Sequence, residues 1–572
     1  MKSVIELSLR LLQEAGRRCC VDTKRDEVTL VARVEHEGIA FLAITLPAFC
    51  KDLERSVADG RVSSNAFAGF ARSRGLPRFL GGFLRRLFHR TGLLRVDVDA
   101  GVFADLRQVL LLVSKLELPV SPARLRRAER AYVDTDKSIR SIRPELLTEF
   151  KLEATRLLGA YLDGIEKELV FDQLPSRHSS GVSADRLSFN SRWSSDTWTE
   201  RLNEVFPWWE DLAINWRDAS CMRPILLDRD AEPPVRVTSV PKTLKGPRII
   251  AMEPSWMMFV QQGILAVMTS HLRQHRGLNA MFGWTDQDPN RLLSREGSVD
   301  GSYATIDLSE ASDRVSLELA SALFHRHPAL LRRVLACRST HASVGGEVIE
   351  LKKFASMGSA LCFPIESMVF ATIASLGMRV AARRDGRQSS EERVMPDPRR
   401  VFGDDIIVPS YAAQDVLTLL EAFGLKVNAR KTFTTGRFRE SCGAEWLSGR
   451  DVSVFRLRHL LPEDSTSPVG WESAIAFHNH AFTRGWEDLA RFVAERLDAL
   501  RYVPRCSPGF SGSALFSWGR PRTRFNPRLQ RLEQAVLAFK NVKPADPLQD
   551  YGALRKVFRT PRIEPLDPEH LT

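Results

Sequence analysis

The chain has 572 residues, of which 82 are Lys or Arg and 70 are Asp or Glu, so its net charge is +12. A hydrophobic fraction of 44% with 27% charged residues is typical of a globular protein and excludes general disorder. At about 150 residues per domain we expect three or four packed units, and the basic excess favours a polyanionic partner such as nucleic acid.

The eight cysteines are scattered, with no C-x-x-C pair and no His-rich metal spacing. This distribution predicts free thiols in a reducing compartment, and neither a disulfide framework nor a zinc site. The N-terminal stretch is interrupted by Glu6, Arg10 and Glu14, which predicts an amphipathic helix and no signal sequence. No uncharged apolar run approaches the ~20 residues that cross a bilayer, so we expect a soluble protein without a membrane partner.

The first 170 or so residues predict mainly helices. The exception is "VTLVARVEHEGIAFLAITL" at residues 28–46, where alternating apolar and charged residues predict a β-hairpin. Residues 175–196 are Ser-rich and aperiodic, which predicts a loop. Residues 383–400 predict an exposed connection. Beyond residue 450, helical patterns alternate with Pro-containing loops, and the C-terminal tail is expected to fray.

The stretch "VPKTLKGPRIIAMEP" at residues 240–254 places Lys242, Lys245 and Arg248 around a Gly246–Pro247 turn. Positive groups that converge on a triphosphate would assist its binding and the charge that develops during transfer. The alternative is an ordinary solvated basic turn.

The stretch "YATIDLSEASDRVSLELASALF" at residues 303–324 predicts a strand followed by a helix. Asp307 is expected at the C-terminal end of the strand, and Ser309 or Ser312 could cap the helix. Asp313 then lies near the helix start. By itself, an Asp at a strand end is more often a helix-capping or turn residue, and what favours a functional role is its combination with Asp404 and Asp405.

The stretch "FASMGSALCFPIESMVFATIASL" at residues 354–376 predicts a loop of small residues and then a helix with an apolar stripe. Pro364 suits the first helical turn. Ser356, Gly358 and Ser359 are candidates for a loop that approaches a template and an incoming nucleotide. The alternative is a Gly-containing helix entry in the core.

The stretch "VFGDDIIVP" at residues 401–409 predicts a hairpin of two buried strands, with Gly403 at the tip and Asp404 and Asp405 presented together. If Asp307 lies beside this pair, three carboxylates would repel one another and raise their own pKa values unless a divalent metal neutralises them. Mg²⁺ prefers such oxygen ligands. Two ions about 3.5–4 Å apart would hold the attacking and leaving oxygens of a phosphoryl displacement, which is the chemistry of a polymerase.

The stretch beginning "FGLKVNARKTF" at residue 423 has a helix stop at Gly424 and then a strand-like pattern. A basic residue there could protonate the leaving pyrophosphate. Lys431 is the first candidate for this general acid, with Lys426 and Arg430 as alternatives.

These five segments resemble, in this order, the blocks of the catalytic (beta) subunit of the replicase of single-stranded RNA bacteriophages, the leviviruses. The resemblance covers roughly residues 235–456 and includes "VPKTLKGPRIIAMEPSW", "IDLSEASD", "SMGS" with "FPIES", "FGDDIIVPS" and "KTFTTGRFRESCG". It implies an α+β right-hand polymerase, with an antiparallel palm sheet and surrounding helices. On this basis residues 1–230 would contribute to fingers and thumb-bridging elements, 231–456 would form fingers and palm, and 457–572 the thumb.

The resemblance also implies an RNA-directed RNA polymerase that copies viral RNA from ribonucleoside triphosphates in the cytoplasm of an infected bacterium. It assigns two Mg²⁺ ions, replaceable by Mn²⁺, to Asp307, Asp404 and Asp405. It assigns selection of the ribose 2′-OH to a network that includes Asp313. Members of the family commonly work with host elongation factors Tu and Ts and a host ribosomal protein.

Some positions depart from the family pattern. Phe402 replaces the commoner Tyr, while Ser359, Ala360 and Cys362 stand where Asn, Gly and Thr are frequent. A reverse transcriptase is one alternative, although Asp313 occupies the position where a deoxynucleotide enzyme usually has a bulky residue that blocks the 2′-OH. A non-catalytic RNA-binding protein is the other, although such a protein gains nothing from three acids in its RNA groove.

Overall fold

The computed structural model describes residues 2–187, 189–386, 399–466, 468–510, 512–519, 521–539 and 550–559, and these form a mixed α+β protein. The α-helices are α1 (Lys2–Arg18), α2 (Lys24–Glu37), α3 (Leu46–Ala58), α4 (Gly81–Leu87), α5 (Ala100–Leu111), α6 (Pro122–Lys137), α7 (Pro144–Phe171), α8 (Glu200–Val205), α9 (Trp208–Asp211), α10 (Trp216–Cys221), α11 (Ser255–Gln274), α12 (Arg276–Phe282), α13 (Asp288–Asp300), α14 (Ala311–Arg314), α15 (Leu317–Leu323), α16 (Pro328–Ala336), α17 (Cys362–Arg384), α18 (Ala413–Ala422), α19 (Pro468–Thr483), α20 (Glu487–Leu500) and α21 (Asp550–Arg559).

The strands are short and mostly antiparallel. They are β1 (Arg72–Ser73), β2 (Leu76–Pro77), β3 (Thr197–Thr199), β4 (Ile225–Leu227), β5 (Val235–Thr243), β6 (Gly246–Met252), β7 (Tyr303–Ser309), β8 (His341–Val344), β9 (Glu347–Glu350), β10 (Arg400–Phe402), β11 (Asp405–Pro409), β12 (Lys426–Val427), β13 (Phe438–Ser441), β14 (Ala444–Leu447), β15 (Arg450–Asp451), β16 (Arg505–Cys506), β17 (Leu515–Phe516), β18 (Thr523–Asn526) and β19 (Arg531–Gln534).

A four-stranded antiparallel sheet in the order β10-β11-β7-β12 lies at the centre of the chain. The predicted hairpin at 401–409 is confirmed as β10 and β11. Four of its apolar residues are fully buried, namely Val401, Ile406, Ile407 and Val408, while Phe402 is half-buried. Helix α17 packs against β10 and β11, and α13 packs against β7, so the acids of this sheet stand on a rigid support.

A second four-stranded sheet has the order β6-β5-β8-β9. Strands β5 and β6 form an antiparallel hairpin that covers residues 235–252. Helix α6 packs against β6, and β5 runs parallel to β8. The turn predicted at Gly246–Pro247 lies two residues earlier, at Leu244 and Lys245, and Gly246 and Pro247 begin β6.

Two large apolar cores organise the described residues. The first is built from α7, α11, α15 and α17 and the central sheet. The second joins helices α1 to α5 of the N-terminal region with β13, β14, α19 and α20. Leu244, at the tip of the β5–β6 hairpin, belongs to this second core and is 8% exposed. Segments far apart in sequence thus share one core.

The β-hairpin predicted at residues 28–46 is wrong. The chain there forms the end of α2, a π-helical turn at Phe41–Thr45 and the start of α3. Leu30 and Val34 are buried while Val28 is 71% exposed. The buried residues therefore recur with the four-residue spacing of a helix, and not with the two-residue spacing of a strand. Gly38, at a φ of +66°, ends α2, and the chain is helical again from Ile39.

The helix predicted after Ser309 or Ser312 is interrupted. A four-residue helix, α14, begins at Ala311, and α15 begins one turn later, where Ser316 accepts a hydrogen bond from the Leu319 amide. Neither predicted serine is the cap of the longer helix. The strand predicted from Lys426 is confirmed for two residues only, because the chain then turns.

Several simpler expectations are confirmed. The N-terminal segment is the helix α1, and all eight cysteines are free. The described residues of the loop at 175–196 are irregular except for a 3₁₀ turn at Phe189–Arg192. Strand β3 begins directly after the loop. Helix α17 is apolar and long enough to cross a membrane, but 83% of its apolar window is buried in the protein. Most of the predicted connection at 383–400 and the tail from 560 lie outside the described residues.

Candidate active site

Asp307, Asp404 and Asp405 come together on two neighbouring strands. In the antiparallel register of β7 and β11, Asp307 is paired directly with Asp405, and Asp404 precedes Asp405 in the β10–β11 turn. Residues in direct register lie about 4.5–5.5 Å apart at Cα and project to the same face. Gly403 makes the turn at a φ of +58°, and a Cβ there would lie 2.6 Å from the ring of Phe363. The turn therefore requires glycine.

The pKa values of two of the three acids, Asp307 and Asp405, are raised. Burial, followed by the carboxylates of Asp404, Asp307 and Glu440, raises the pKa of Asp405 to about 7. Burial also raises the pKa of Asp307, with Asp404 acting in the same direction and Lys431 opposing it. The cost of holding these groups ionised falls when a cation lies between them.

Short polar contacts hold two of the acids in place. The side-chain amide of Asn428, which follows β12, donates to Asp307 Oδ2 at 2.7 Å. The backbone amide of Cys442 donates to Asp405 Oδ2 at 3.2 Å, and Ser441 Oγ lies 3.5 Å from Asp405 Oδ1. The carboxylates are thus oriented by elements on both sides of the central hairpin.

The donor chemistry of the acids suits Mg²⁺, which takes hard oxygen ligands. Among the described residues, no group of three or more His, Cys, Asp or Glu side chains is close enough to hold a metal ion by protein ligands alone. Mg²⁺ usually binds through one or two carboxylates, with waters and substrate phosphates completing the shell. The paired Asp307 and Asp405, with the exposed Asp404 beside them, fit this mode of binding.

Glu366 in α17 is a fourth acid close to the hairpin turn. It is 8% exposed, its Oε1 lies near Gly403, and its Oε2 has no hydrogen-bond partner among the described residues. Burial raises its pKa well above the ordinary value, and Asp404 and Asp313 raise it further. Burial and the neighbouring acids thus both favour the neutral form of Glu366.

Lys431 is the basic residue that the structure brings to the acids. Its Nζ lies 3.4 Å from Asp307 Oδ1 and 3.5 Å from Glu440 Oε1. Glu440 raises its pKa, burial opposes this and Asp307 raises it again, so the ammonium form is stabilised. Lys426 and Arg430, the alternatives considered for the general acid, are exposed and form no described ion pair.

The β5–β6 hairpin carries the three predicted phosphate ligands. Arg248 is paired with Val240 across the hairpin, and Lys245 lies in its turn. Burial lowers the pKa of Lys242, as do the cations of Arg248 and Lys431, while Asp404 and Asp307 raise it. Lys242 therefore lies within electrostatic range of both the acids and Lys431.

Asp313 belongs to a buried polar network. Lys353 Nζ donates to Asp313 Oδ1 at 2.9 Å, and the Lys353 side chain is fully buried. The same ammonium group lies 3.4 Å from the ring centroid of Tyr132, whose hydroxyl is 2.7 Å from Ser356 Oγ. The network links Asp313 to the small-residue loop and fixes both.

The small-residue loop at 356–360 packs against the basic hairpin. The Ala251 amide of β6 donates to Met357 O at 2.9 Å. Gly358 has a φ of +130°, and a Cβ there would lie 2.0 Å from Ala251 O, so only glycine fits. Ser359 Oγ donates to Gln261 Oε1 at 3.0 Å. The loop and the basic hairpin, which carry all the predicted nucleotide-binding residues except Asp313, are thus in direct contact.

Residues 230–465, which hold all of these acids and the predicted basic residues, match the profile of the family described as RNA replicase, beta-chain. The resemblance to the phage replicase family is confirmed. The "RNA-directed RNA polymerase subunit beta" of Enterobacteria phage SP is 38% identical over 224 residues, and that of Escherichia virus Qbeta is 37% identical over 233. These alignments cover 39% and 41% of this chain, and 36% of each relative.

The chain therefore aligns with little more than a third of the length of these replicase subunits. The "RNA-directed RNA polymerase beta chain" of Escherichia phage MS2 gives the same picture, with 37% identity over 39% of this chain and 37% of that one. Among solved structures, "In situ structure of BmCPV RNA-dependent RNA polymerase at elongation state" has a TM-score of 0.43 at 11% identity, and covers 70% of this chain and 38% of that chain. A TM-score this low does not establish a shared fold.

The replicase motifs left some site residues unidentified. Lys353 immediately precedes the small-residue segment, so a lysine beside that motif could have been noted as a partner for Asp313. Tyr132 lies in α6, outside the replicase match, and carries no local signal of its role. Phe402, which departs from the replicase pattern, packs edge-on against Phe363 with ring centroids 5.1 Å apart.

Proposed function

We propose that this chain is the catalytic subunit of an RNA-directed RNA polymerase that copies single-stranded viral RNA from ribonucleoside triphosphates. The register of β7 and β11, which sets Asp307 opposite Asp405 and beside Asp404, carries the proposal. The position of these acids inside the stretch that matches the RNA replicase beta-chain family supports it.

In this proposal Asp307, Asp404 and Asp405 hold two Mg²⁺ ions, for which Mn²⁺ can substitute. The ions would stabilise the negative charge on the attacking and leaving oxygens in the transition state. The protein holds the three carboxylates on a buried hairpin and its neighbouring strand, so little reorganisation is needed when the substrate binds.

The remaining residues are assigned to the nucleotide. Lys242, Lys245 and Arg248 bind its phosphates, and Lys431 is the general acid for pyrophosphate. Because the pKa of Lys431 is raised, the residue carries the proton that this role requires. Asp313, held by Lys353, selects the ribose 2′-OH, and the loop with Ser356, Gly358 and Ser359 contacts the template and the base.

The proposal also assigns the architecture and the partners. The central sheet is the palm, the β5–β6 hairpin belongs to the fingers, and residues 457–572 contribute the thumb. Template and product RNA, host elongation factors Tu and Ts and a host ribosomal protein are the partners, in the cytoplasm of an infected bacterium.

The test is extension of a self-priming RNA hairpin with ribonucleotides and Mg²⁺, with and without the host factors. We expect extension by the wild-type chain and none by the Asp404→Asn variant, which should retain RNA binding and its unfolding temperature. Asp230→Asn is the matched control, because Asp230 is exposed and lies away from the sheet in a turn. Extension by Asp404→Asn, or extension with deoxynucleotides in preference to ribonucleotides, would contradict the proposal.

A further inference from the structure

Helix α3, in the N-terminal region outside the replicase match, lies directly against the segment that carries Lys431. Arg55 Nη1 donates to Ala429 O at 3.3 Å and to Thr432 O at 3.0 Å. Close by, Thr435 Oγ1 lies 3.4 Å from Ala58 O. These contacts fix one face of α3 beside the candidate active site.

Lys51 lies on that face of α3. It precedes Arg55 by four residues, which is one helical turn, so the two side chains are neighbours on the helix surface. Lys51 is half-buried and forms no described hydrogen bond or ion pair. Burial lowers its pKa, and the ammonium groups of Lys431 and Lys245 lower it further.

The acids near Lys51 already have cationic partners. Glu54 and Glu440 raise the pKa of Lys51, in opposition to the lysines. However, Glu54 pairs with the buried Arg107 at 2.8 Å, and Glu440 pairs with Lys431. Lys51 therefore faces other cations without an anion of its own.

The tip of the β5–β6 hairpin reaches the same region. Leu244 packs into the core that contains α3, and Arg124 Nη1 donates to Leu244 O at 2.7 Å. These contacts anchor the neighbouring Lys245 against the N-terminal helices. Lys242, on the same hairpin, lies within electrostatic range of Lys431. Three separate parts of the chain thus bring lysines within electrostatic range of one another.

We propose that Lys51 completes a polyphosphate-binding site with Lys242, Lys245 and Lys431, and that its ligand is the triphosphate of the incoming nucleotide. Partly desolvated like charges are stable together when a polyanion binds between them. This inference rests on the proposed polymerase function and deepens it, because it assigns a substrate contact to the N-terminal region.

The test measures binding of inorganic tripolyphosphate and of ATP to the full chain without divalent metal, by displacement of a fluorescent nucleotide. We expect Lys51→Gln to lower the affinity for tripolyphosphate and for ATP by about tenfold each, because one charge-assisted contact is lost. Lys51→Arg, which keeps the charge, should stay within about threefold of the wild type. Lys167→Gln is the matched control, since Lys167 is an exposed lysine of α7.

Three results would overturn the inference: wild-type affinity in Lys51→Gln, equal losses in the Gln and Arg variants, or a loss of RNA affinity with tripolyphosphate affinity unchanged. The last result would assign Lys51 to the RNA backbone. Because the binding assay requires no synthesis, its outcome is distinct from that of the test of the polymerase function, which measures extension of RNA.

Discussion

Asp405→Asn tests the electrostatics of the central hairpin. Burial and the neighbouring acids raise the pKa of Asp405 to about 7 in the folded chain, while in the unfolded chain an Asp titrates near about 3.9. Between these values the folded state binds the extra proton, so stability falls as the pH rises from about 4 to about 7 and stays lower above that. Asparagine removes this pH-dependent loss.

The magnitude follows from the size of the pKa shift. A rise in the pKa from about 3.9 to about 7 lowers the free energy of unfolding at pH 8 by about 4 kcal/mol. The hydrogen bonds from Cys442 and Ser441 are weakened by the substitution, at a cost of about 1 kcal/mol each. We therefore expect Asp405→Asn to be more stable than the wild type by about 2 kcal/mol at pH 8, although it should not synthesise RNA.

The assay is urea unfolding at pH 4.5 and pH 8 in the absence of divalent metal, with Asp230→Asn as the control for loss of an exposed charge. The stability advantage of Asp405→Asn should be present at pH 8 and should disappear or reverse at pH 4.5. An advantage of equal size at both pH values, or none at pH 8, would refute the argument from burial and carboxylate repulsion.

Three further substitutions test the supports of the site. Gly403→Ala places a Cβ against the Phe363 ring at a positive φ, so we expect a loss of about 1–3 kcal/mol in urea unfolding; wild-type stability would contradict this. Arg107→Met leaves the buried Glu54 without its ion-pair partner and Glu445 with Arg456 alone, and should cost about 3–5 kcal/mol in the same assay; a loss below about 1 kcal/mol would argue against a stabilising role of these ion pairs. Lys353→Met removes the ion-pair partner of Asp313. In single-nucleotide incorporation it should reduce the preference for ribo- over deoxyribonucleotides about tenfold. An unchanged preference would show that Lys353 has no role in nucleotide selection.

The parts of the site that the sequence predicts well are those governed by local chemistry. The hairpin at 401–409 has short apolar runs on both sides of a glycine at a positive φ, and both features act over neighbouring residues. The loop before α17 is predictable for the same reason, because Gly358 permits a positive φ and Pro364 fixes φ in the first turn of the helix.

Long-range contacts explain what the sequence could not supply. Tyr132 reaches Ser356, and Lys51 approaches Lys431, only because the N-terminal helices pack around the rest of the chain. At residues 28–46, helical burial of Leu30 in the second core overrides the local alternation that favours a strand. Such contacts depend on tertiary packing, which no local pattern records.

Titration with Mn²⁺, followed by electron paramagnetic resonance, tests most directly whether acids from two separate strands bind the same ions. We predict that the wild-type chain binds Mn²⁺ and that Asp307→Asn and Asp404→Asn each weaken this binding at least about tenfold, the loss of one charged ligand contact. Wild-type affinity for Mn²⁺ in the Asp307→Asn variant would contradict the account, because β7 would then contribute nothing to the metal site.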